Sequence, residues 1–200
     1  TVRRRGEFMQ EAVPAGQGAM AALLGLAIEV VESLCEEASS VGVCAPANIN
    51  SPNQTVIAGN KAAVERAAEL ARLKGAKRVV ILPVSAPFHC KLMGPAAERL
   101  AALLIEIEFK DLRVPLITNV DARLITSGAE ARDSLLRQVA SPVKWSESVQ
   151  LLIGQGVGRF VEVGPGKVLS GLVRQISRDC RLSNVEDAQS LDAAAASLEL

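Results

Sequence analysis

The stretch ILPVSAPFHCKLM, from Ile81 to Met93, carries His89, the only histidine among 200 residues. A neutral imidazole takes a proton from a hydroxyl or thiol nucleophile and returns it to a leaving group. His89 follows an apolar run and precedes a helical pattern. In an α/β sheet this places it among the loops at the carboxyl ends of strands. The other reading is a partly exposed loop histidine, and position alone leaves both open. The neighbouring Cys90 reads as a packing residue, because side chains one residue apart point in divergent directions. Arg3, Arg4 and Arg5 form a charge run. It is either a solvated helix face or, for one arginine aimed inward, a rigid fork for a carboxylate. The run GPGK at 164–167 offers backbone N–H groups to an anion. It lacks the length and the serine or threonine of a P-loop, so a tight strand-to-helix turn is preferred.

These residues need elements to hold them. Residues 18–26 read as a strand, and 27–39 as a helix with Ile28, Val31, Leu34 and Cys35 at helical spacing. Residues 43–49 and 54–59 are two strands separated by the turn NSPN. Asn60 is placed to cap a helix running to Lys74 with Val64, Ala67, Ala68 and Ala71 on its apolar face. Gly75 ends that helix, and 78–84 is a β-branched strand. The order is βαββαβ, the split arrangement of ferredoxin-like domains. After His89, helices over 95–105, 129–139 and 145–154 alternate with strands over 114–120 and 159–164, and GPGKVLSGLVRQI turns into a further helix. Such alternation predicts a parallel sheet covered on both faces. The alanine-rich segment from Leu182 reads as a frayed helix.

Composition bounds the function. The chain is 49% hydrophobic but only 2% aromatic, so Ala, Leu, Val and Ile must build the core. Lys plus Arg equals Asp plus Glu at 22 each, which argues against nucleic acid or a membrane surface as partner. No apolar run approaches the roughly 20 residues that span a bilayer. Cys35, Cys44, Cys90 and Cys180 show no CxxC spacing, so buried thiols in a reducing, cytoplasmic compartment are expected rather than a metal site. The opening TVRRRGEFMQ has neither a signal-peptide core nor an initiator methionine, and reads as the interior of a longer chain.

Taken together, RRRGEFMQEAVPAGQGAMAALLGL, NINSPNQTVIAG, PVSAPFHCKLM, SPVKW and VEVGPGKVLSGL resemble the malonyl-CoA:acyl carrier protein transacylases. That acyltransferase family serves fatty acid biosynthesis and also supplies domains of polyketide synthases. The resemblance runs to about residue 178. It implies a partial α/β-hydrolase-like parallel sheet core over 1–16 and 85–180, an inserted ferredoxin-like subdomain over 17–84, and a tail over 181–200. It also implies transfer of malonyl from malonyl-CoA, through a seryl ester, to the phosphopantetheine thiol of acyl carrier protein. No cofactor or metal is implied, and the complete protein is expected to be a monomer.

Carried over residue by residue, His89 matches the family's catalytic histidine. Gln138 matches the position whose main-chain carbonyl orients it, fixing the tautomer. Arg5 matches the arginine that pairs with the free carboxylate of malonyl. An acetyl group would leave it unpaired, at about 2–5 kcal/mol. Phe88 stands where polyketide domains carry phenylalanine when they select malonyl, and Asn48 and Asn50 match asparagines near the active site. Turn formation accounts for the asparagines equally well. The family's G-H-S-x-G nucleophile elbow does not occur in these residues, so the chain alone is expected to form no acyl-enzyme. A polyketide synthase domain and a non-catalytic carrier-protein-binding module remain alternatives.

Overall fold

A computed structural model describes residues 1–197 as a mixed α/β chain in two compact units, residues 1–148 and the residues from Val149 onward. The first unit opens with helix α1 (Val2–Glu11), which buries Phe8 and Met9. Strand β1 (Gly18–Leu24) follows. Alternate side chains of a strand point to opposite faces. Ala21 and Leu23 therefore enter one apolar cluster while Met20 and Ala22 enter another. Because both faces are covered, β1 reads in sequence as an unbroken apolar run.

Helix α2 (Ile28–Ala38) buries Val31, Leu34, Cys35 and Ala38, positions three and four apart. Strands β2 (Cys44–Ser51) and β3 (Gln54–Asn60) form the hairpin around the expected turn. Helix α3 (Lys61–Leu73) presents Ala63, Ala67 and Ala71, all fully buried, to the same cluster as α2. Strand β4 (Arg78–Ile81) completes an antiparallel sheet in the order β2-β3-β1-β4. Two details depart from the sequence reading. The Asn60 side chain does not cap α3; its Oδ1 accepts from Val43 N at 2.8 Å while the Asn60 backbone N–H donates to Val43 O. This pairing extends the β2–β3 ladder. β4 also stops before residue 84, because Pro83 has no N–H for a ladder.

Beyond the His89 loop, helix α4 (Gly94–Ile105) begins with Pro95 in its first turn and buries Ala96, Leu100 and Leu104. These side chains meet Phe8, Met9 and Val13 from the α1 region and Val139 in a third cluster. The expected strand over 114–120 is only β5 (Leu116–Thr118), which pairs antiparallel with β6 (Arg123–Ile125). The chain reverses at Ala122, whose φ is 50° and whose N–H donates to Thr118 O at 2.8 Å. That reversal replaces the parallel neighbour predicted for this strand. Helix α5 (Gly128–Val139) follows, capped by the Ser127 hydroxyl on Ala129 N, and then helix α6 (Trp145–Gly154).

In the second unit, β7 (Arg159–Val163) leads into α7 (Val168–Ile176), and β8 (Arg181–Val185) pairs parallel with β7 in register. This parallel pair is the part of the predicted sheet seen among the described residues. β8 was not expected from the sequence; its residues RLSNV mix polar and apolar without a clear strand pattern. Helix α8 (Ala188–Ser197) is the alanine-rich segment. No helix of the described residues is long and apolar enough to cross a membrane.

Candidate active site

The His89 loop is gripped from three sides. Gln10 of α1 donates from Nε2 to Ser85 Oγ at 2.6 Å. The buried Pro87 lies against the start of β1, where a Cβ on Gly18 would come within 2.4 Å of its ring, so only glycine fits there. Cys90, also buried, donates from Sγ to Pro87 O at 3.2 Å. Phe88 packs against both the α1–α4 cluster and the outer face of the sheet, and so ties the loop to both layers. Held this way, His89 adopts φ 60°, a left-handed conformation that costs a non-glycine residue about 1–3 kcal/mol.

The imidazole Nδ1 lies 3.0 Å from the main-chain oxygen of Gln138. That oxygen is free because α5 ends at Val139, and the last carbonyls of a helix have no partner within it. A carbonyl only accepts, so in the neutral ring Nδ1 carries the hydrogen and Nε2 presents a bare lone pair. The Gln138 side chain braces the same turn, donating to Ser141 O at 2.9 Å and Pro142 O at 3.2 Å. Val143 then bonds to β2 on both sides, donating to Ala47 O and accepting from Ile49 N. Burial is the main influence on His89 and pushes its pKa below the usual histidine value. The nearby Arg5 charge adds to this, while the Gln138 and Ser141 carbonyls oppose it. The imidazole is therefore neutral at pH 7, the state a base requires.

The arginine run separates into two roles. Arg3 and Arg4 both pair with Glu7, at 3.0 and 3.3 Å, on the exposed side of α1. Arg5 is half-buried, its guanidinium is desolvated, and it makes no ion pair or side-chain hydrogen bond among the described residues. Asn50 is half-buried on β2 beside the register shift between Ile49 and Ser51. No hydrogen bond joins it to His89 or Arg5 among the described residues. Thus His89, Gln138, Arg5 and Phe88 fall in one neighbourhood, and Asn50 is not tied to it directly.

The sequence reading missed the clamp formed by Gln10 and Ser85, and also the fork of Arg137. That arginine holds Asp121 through two hydrogen bonds of 2.6 and 2.7 Å and Asp133 through a third of 2.7 Å. It fixes the β5–β6 turn to the helix that carries Gln138. The i,i+4 spacing of Asp133 and Arg137 was the available signal. In the second unit the GPGK run is a turn, with Gly164 and Gly166 at φ 134° and 86°. Two N–H groups in the first turn of α7 are already taken: Leu169 and Ser170 donate to the Glu162 carboxylate at 3.0 and 2.7 Å. Asn184 donates to the same carboxylate, and Gly166 N–H donates to Glu186. The Glu162 carboxylate thus occupies the helix start where an anion would sit.

Residues 1–195 match the family profile described as an acyl transferase domain. The chain belongs to this acyl transferase family. Malonyl CoA-acyl carrier protein transacylase of Escherichia coli strain K12 is 49% identical over 199 residues, covering 100% of this chain and 63% of the relative. The protein of that name from Bacillus subtilis strain 168 is 46% identical over 200 residues, with 100% and 63% covered. A crystal structure of an acyl carrier protein S-malonyltransferase from Vibrio cholerae superposes with a TM-score of 0.94 at 49% identity, covering 96% of this chain and 63% of that one. A malonyl-transacylase solved in complex with a type II PKS acyl-carrier protein gives 0.94 at 44% identity, with 98% and 63% covered. The chain thus spans somewhat under two thirds of the length of these acyl transferases.

Proposed function

We propose that this acyl transferase chain supplies the general base and the carboxylate-binding arginine for malonyl transfer. The donor is malonyl-CoA, the acceptor is the thiol of acyl carrier protein, and the setting is fatty acid biosynthesis in the cytoplasm. The observation that carries the reading is the 3.0 Å bond from His89 Nδ1 to the Gln138 carbonyl, which leaves Nε2 bare on a neutral ring. In this scheme Nε2 takes the proton from a serine hydroxyl as its oxygen attacks the malonyl thioester. The departing CoA thiolate then receives that proton. The carrier thiol reverses the sequence against the seryl ester. His89 performs both proton transfers without leaving its bond to Gln138. The serine belongs to the polypeptide in which this chain meets a G-H-S-x-G elbow. No cofactor takes part, and the complete enzyme works as a monomer.

Arg5 is the carboxylate site. It is the arginine of its run not paired with Glu7, and its planar fork suits a bidentate contact with malonyl. Because Arg5 is only half-buried, the discrimination against acetyl is about 1.5–3 kcal/mol, lower than expected for a buried pair. Phe88 lies next to His89 and narrows the site, and Asn50 contributes from the bulged edge of β2. The finer architecture follows the same reading. Residues 17–84, with their β2-β3-β1-β4 order, form a ferredoxin-like subdomain. Residues 1–16 and 85–180 belong to a hydrolase-like core, and 181–200 form the terminal segment.

The test uses a protein that joins this chain to the serine-bearing segment, assayed with malonyl-CoA and holo acyl carrier protein. His89→Ala should slow transfer by about 10²–10⁴-fold. Arg5→Ala should erase the preference for malonyl over acetyl. Retention of that preference would remove Arg5 from the site, and an unaffected His89→Ala rate would remove the base.

A further inference from the structure

Two of the four cysteines meet inside the sheet-and-helix core. Cys35, in the last turns of α2, and Cys44, the first residue of β2, place their Sγ atoms 3.7 Å apart and share a hydrogen bond. Neither is in a disulfide. A cavity of about 320 Å³ reaches this pair from one side only, and its lining includes Cys44 and Lys91 but not Cys35. We propose that Cys35 and Cys44 are a modification site that closes to a reversible disulfide on meeting a peroxide, with Cys44 the sulfur attacked first. This does not depend on the transfer reaction.

The geometry sets the order of events. A small oxidant entering the cavity meets Cys44, while Cys35 lies behind it among apolar side chains. When one thiol of the pair ionises it is Cys44, because the Cys35 S–H then donates to the thiolate, while Cys35 itself is held protonated. The Cys44 thiolate attacks the peroxide O–O bond, forming a sulfenic acid and, after protonation, one water. The Cys35 thiol then attacks the sulfenic sulfur. The S–O bond breaks, a second water leaves, and two thiols have lost two electrons to a peroxide now reduced to water. Closing the bond brings the sulfurs from 3.7 Å to about 2.0 Å. A small thiol reverses it by exchange. Cys90 is a poor competitor: burial raises its thiol pKa to about 11, and its Sγ is engaged with Pro87. The new bond would fasten α2 to the edge strand that hydrogen-bonds Val143.

The experiment treats the folded protein with hydrogen peroxide, blocks remaining thiols with N-ethylmaleimide under denaturing conditions, and reads intact mass and peptides. The expected result is an intact mass carrying two maleimides instead of the four of the untreated protein and lacking two hydrogens, with one cross-linked peptide pair. That pair contains Cys35 and Cys44, with Cys90 and Cys180 alkylated. In Cys35→Ser, dimedone should label Cys44 as a trapped sulfenic acid. A cross-link between other cysteines overturns the proposal, as does formation of the Cys35–Cys44 link only when the chain is first unfolded in urea. Dimedone labelling of Cys35 in Cys44→Ser with none of Cys44 in Cys35→Ser overturns the order. The wild-type mass result stands even if either variant folds poorly.

Discussion

In the sheet built from β1 to β4, alternate residues are buried on two faces, helices α2 and α3 cover one of them, and every non-glycine residue keeps an ordinary backbone. The segment from Ser85 to Ser148 is built differently. Both non-glycine residues with positive φ among the described residues, His89 and Ala122, lie in it. So do the two buried polar atoms without a hydrogen-bond partner, Ser134 Oγ and Trp145 Nε1. Its strands are three residues long, and a cavity of about 260 Å³ lies between β5 and α5. Strain and unsatisfied polarity fall in the segment that carries the histidine, while the β1–β4 sheet holds neither among the described residues. Such features persist only where surrounding packing over-determines them, and they gather at sites of function.

Deleting volume should cost the two regions very different amounts of stability. Leu23 is fully buried in β1, whereas Leu116 on β5 is 47% exposed. Leu23→Ala should cost about 2–5 kcal/mol, because the close-packed sheet cannot collapse around the gap. Leu116→Ala should cost less than about 1 kcal/mol. Urea midpoints of the two variants give the answer. Equal losses would mean that the two regions share one packing regime.

The same division governs what the sequence could disclose. The βαββαβ order was readable because most of its elements are long, patterned and bounded by breakers, such as the NSPN turn before β3 or Gly75 after α3, although the stop at Pro83 was read through. The hairpin β5–β6 was not, because RLI is too short for a period and Ala122 gives no glycine signal for its left-handed turn. The geometry of His89 was legible only through the family resemblance, which matched Gln138 to the carbonyl that orients it; no periodicity or spacing in the residues themselves joins the two. Its value lies in a helix end forty-nine positions away, where the Gln138 carbonyl is left over. Arg5 could not be separated from Arg3 and Arg4 by type; Glu7 separates them, by holding the two that face outward. β8 escaped because its support is a pairing with β7, not a pattern of its own.

A second, smaller effect sharpens the electrostatic side. The sole histidine gives one imidazole signal, so an NMR titration reads His89 without assignment. Burial, opposed by the Gln138 carbonyl and aided by the Arg5 charge, should put its midpoint below 6.5. As pH falls through about 6.5 the unfolded chain binds the proton before the folded one does, so stability declines. Above that pH the group contributes no slope. Arg5→Met removes the neighbouring cation and leaves the burial in place, so the midpoint should rise but stay below 6.5. An unchanged midpoint would separate Arg5 from the histidine, and with it the idea of one site.

The smallest effect concerns strain that serves no proton transfer. Ala122 sits at φ 50° in a turn that Arg137 holds down through Asp121. A left-handed conformation costs an alanine about 1–2 kcal/mol. Glycine removes that cost but gives the unfolded chain about 0.4–1 kcal/mol of extra freedom. Ala122→Gly should therefore stabilise the protein by about 0.5–1 kcal/mol, readable as a raised urea midpoint with an unchanged slope. Arg137→Met, which frees the turn to relax, should shrink that gain. If Ala122→Gly is neutral in both backgrounds, the turn is not over-determined. The strain at His89 would then have to be sustained by the grip of Gln10, Gly18 and Cys90 on its own loop.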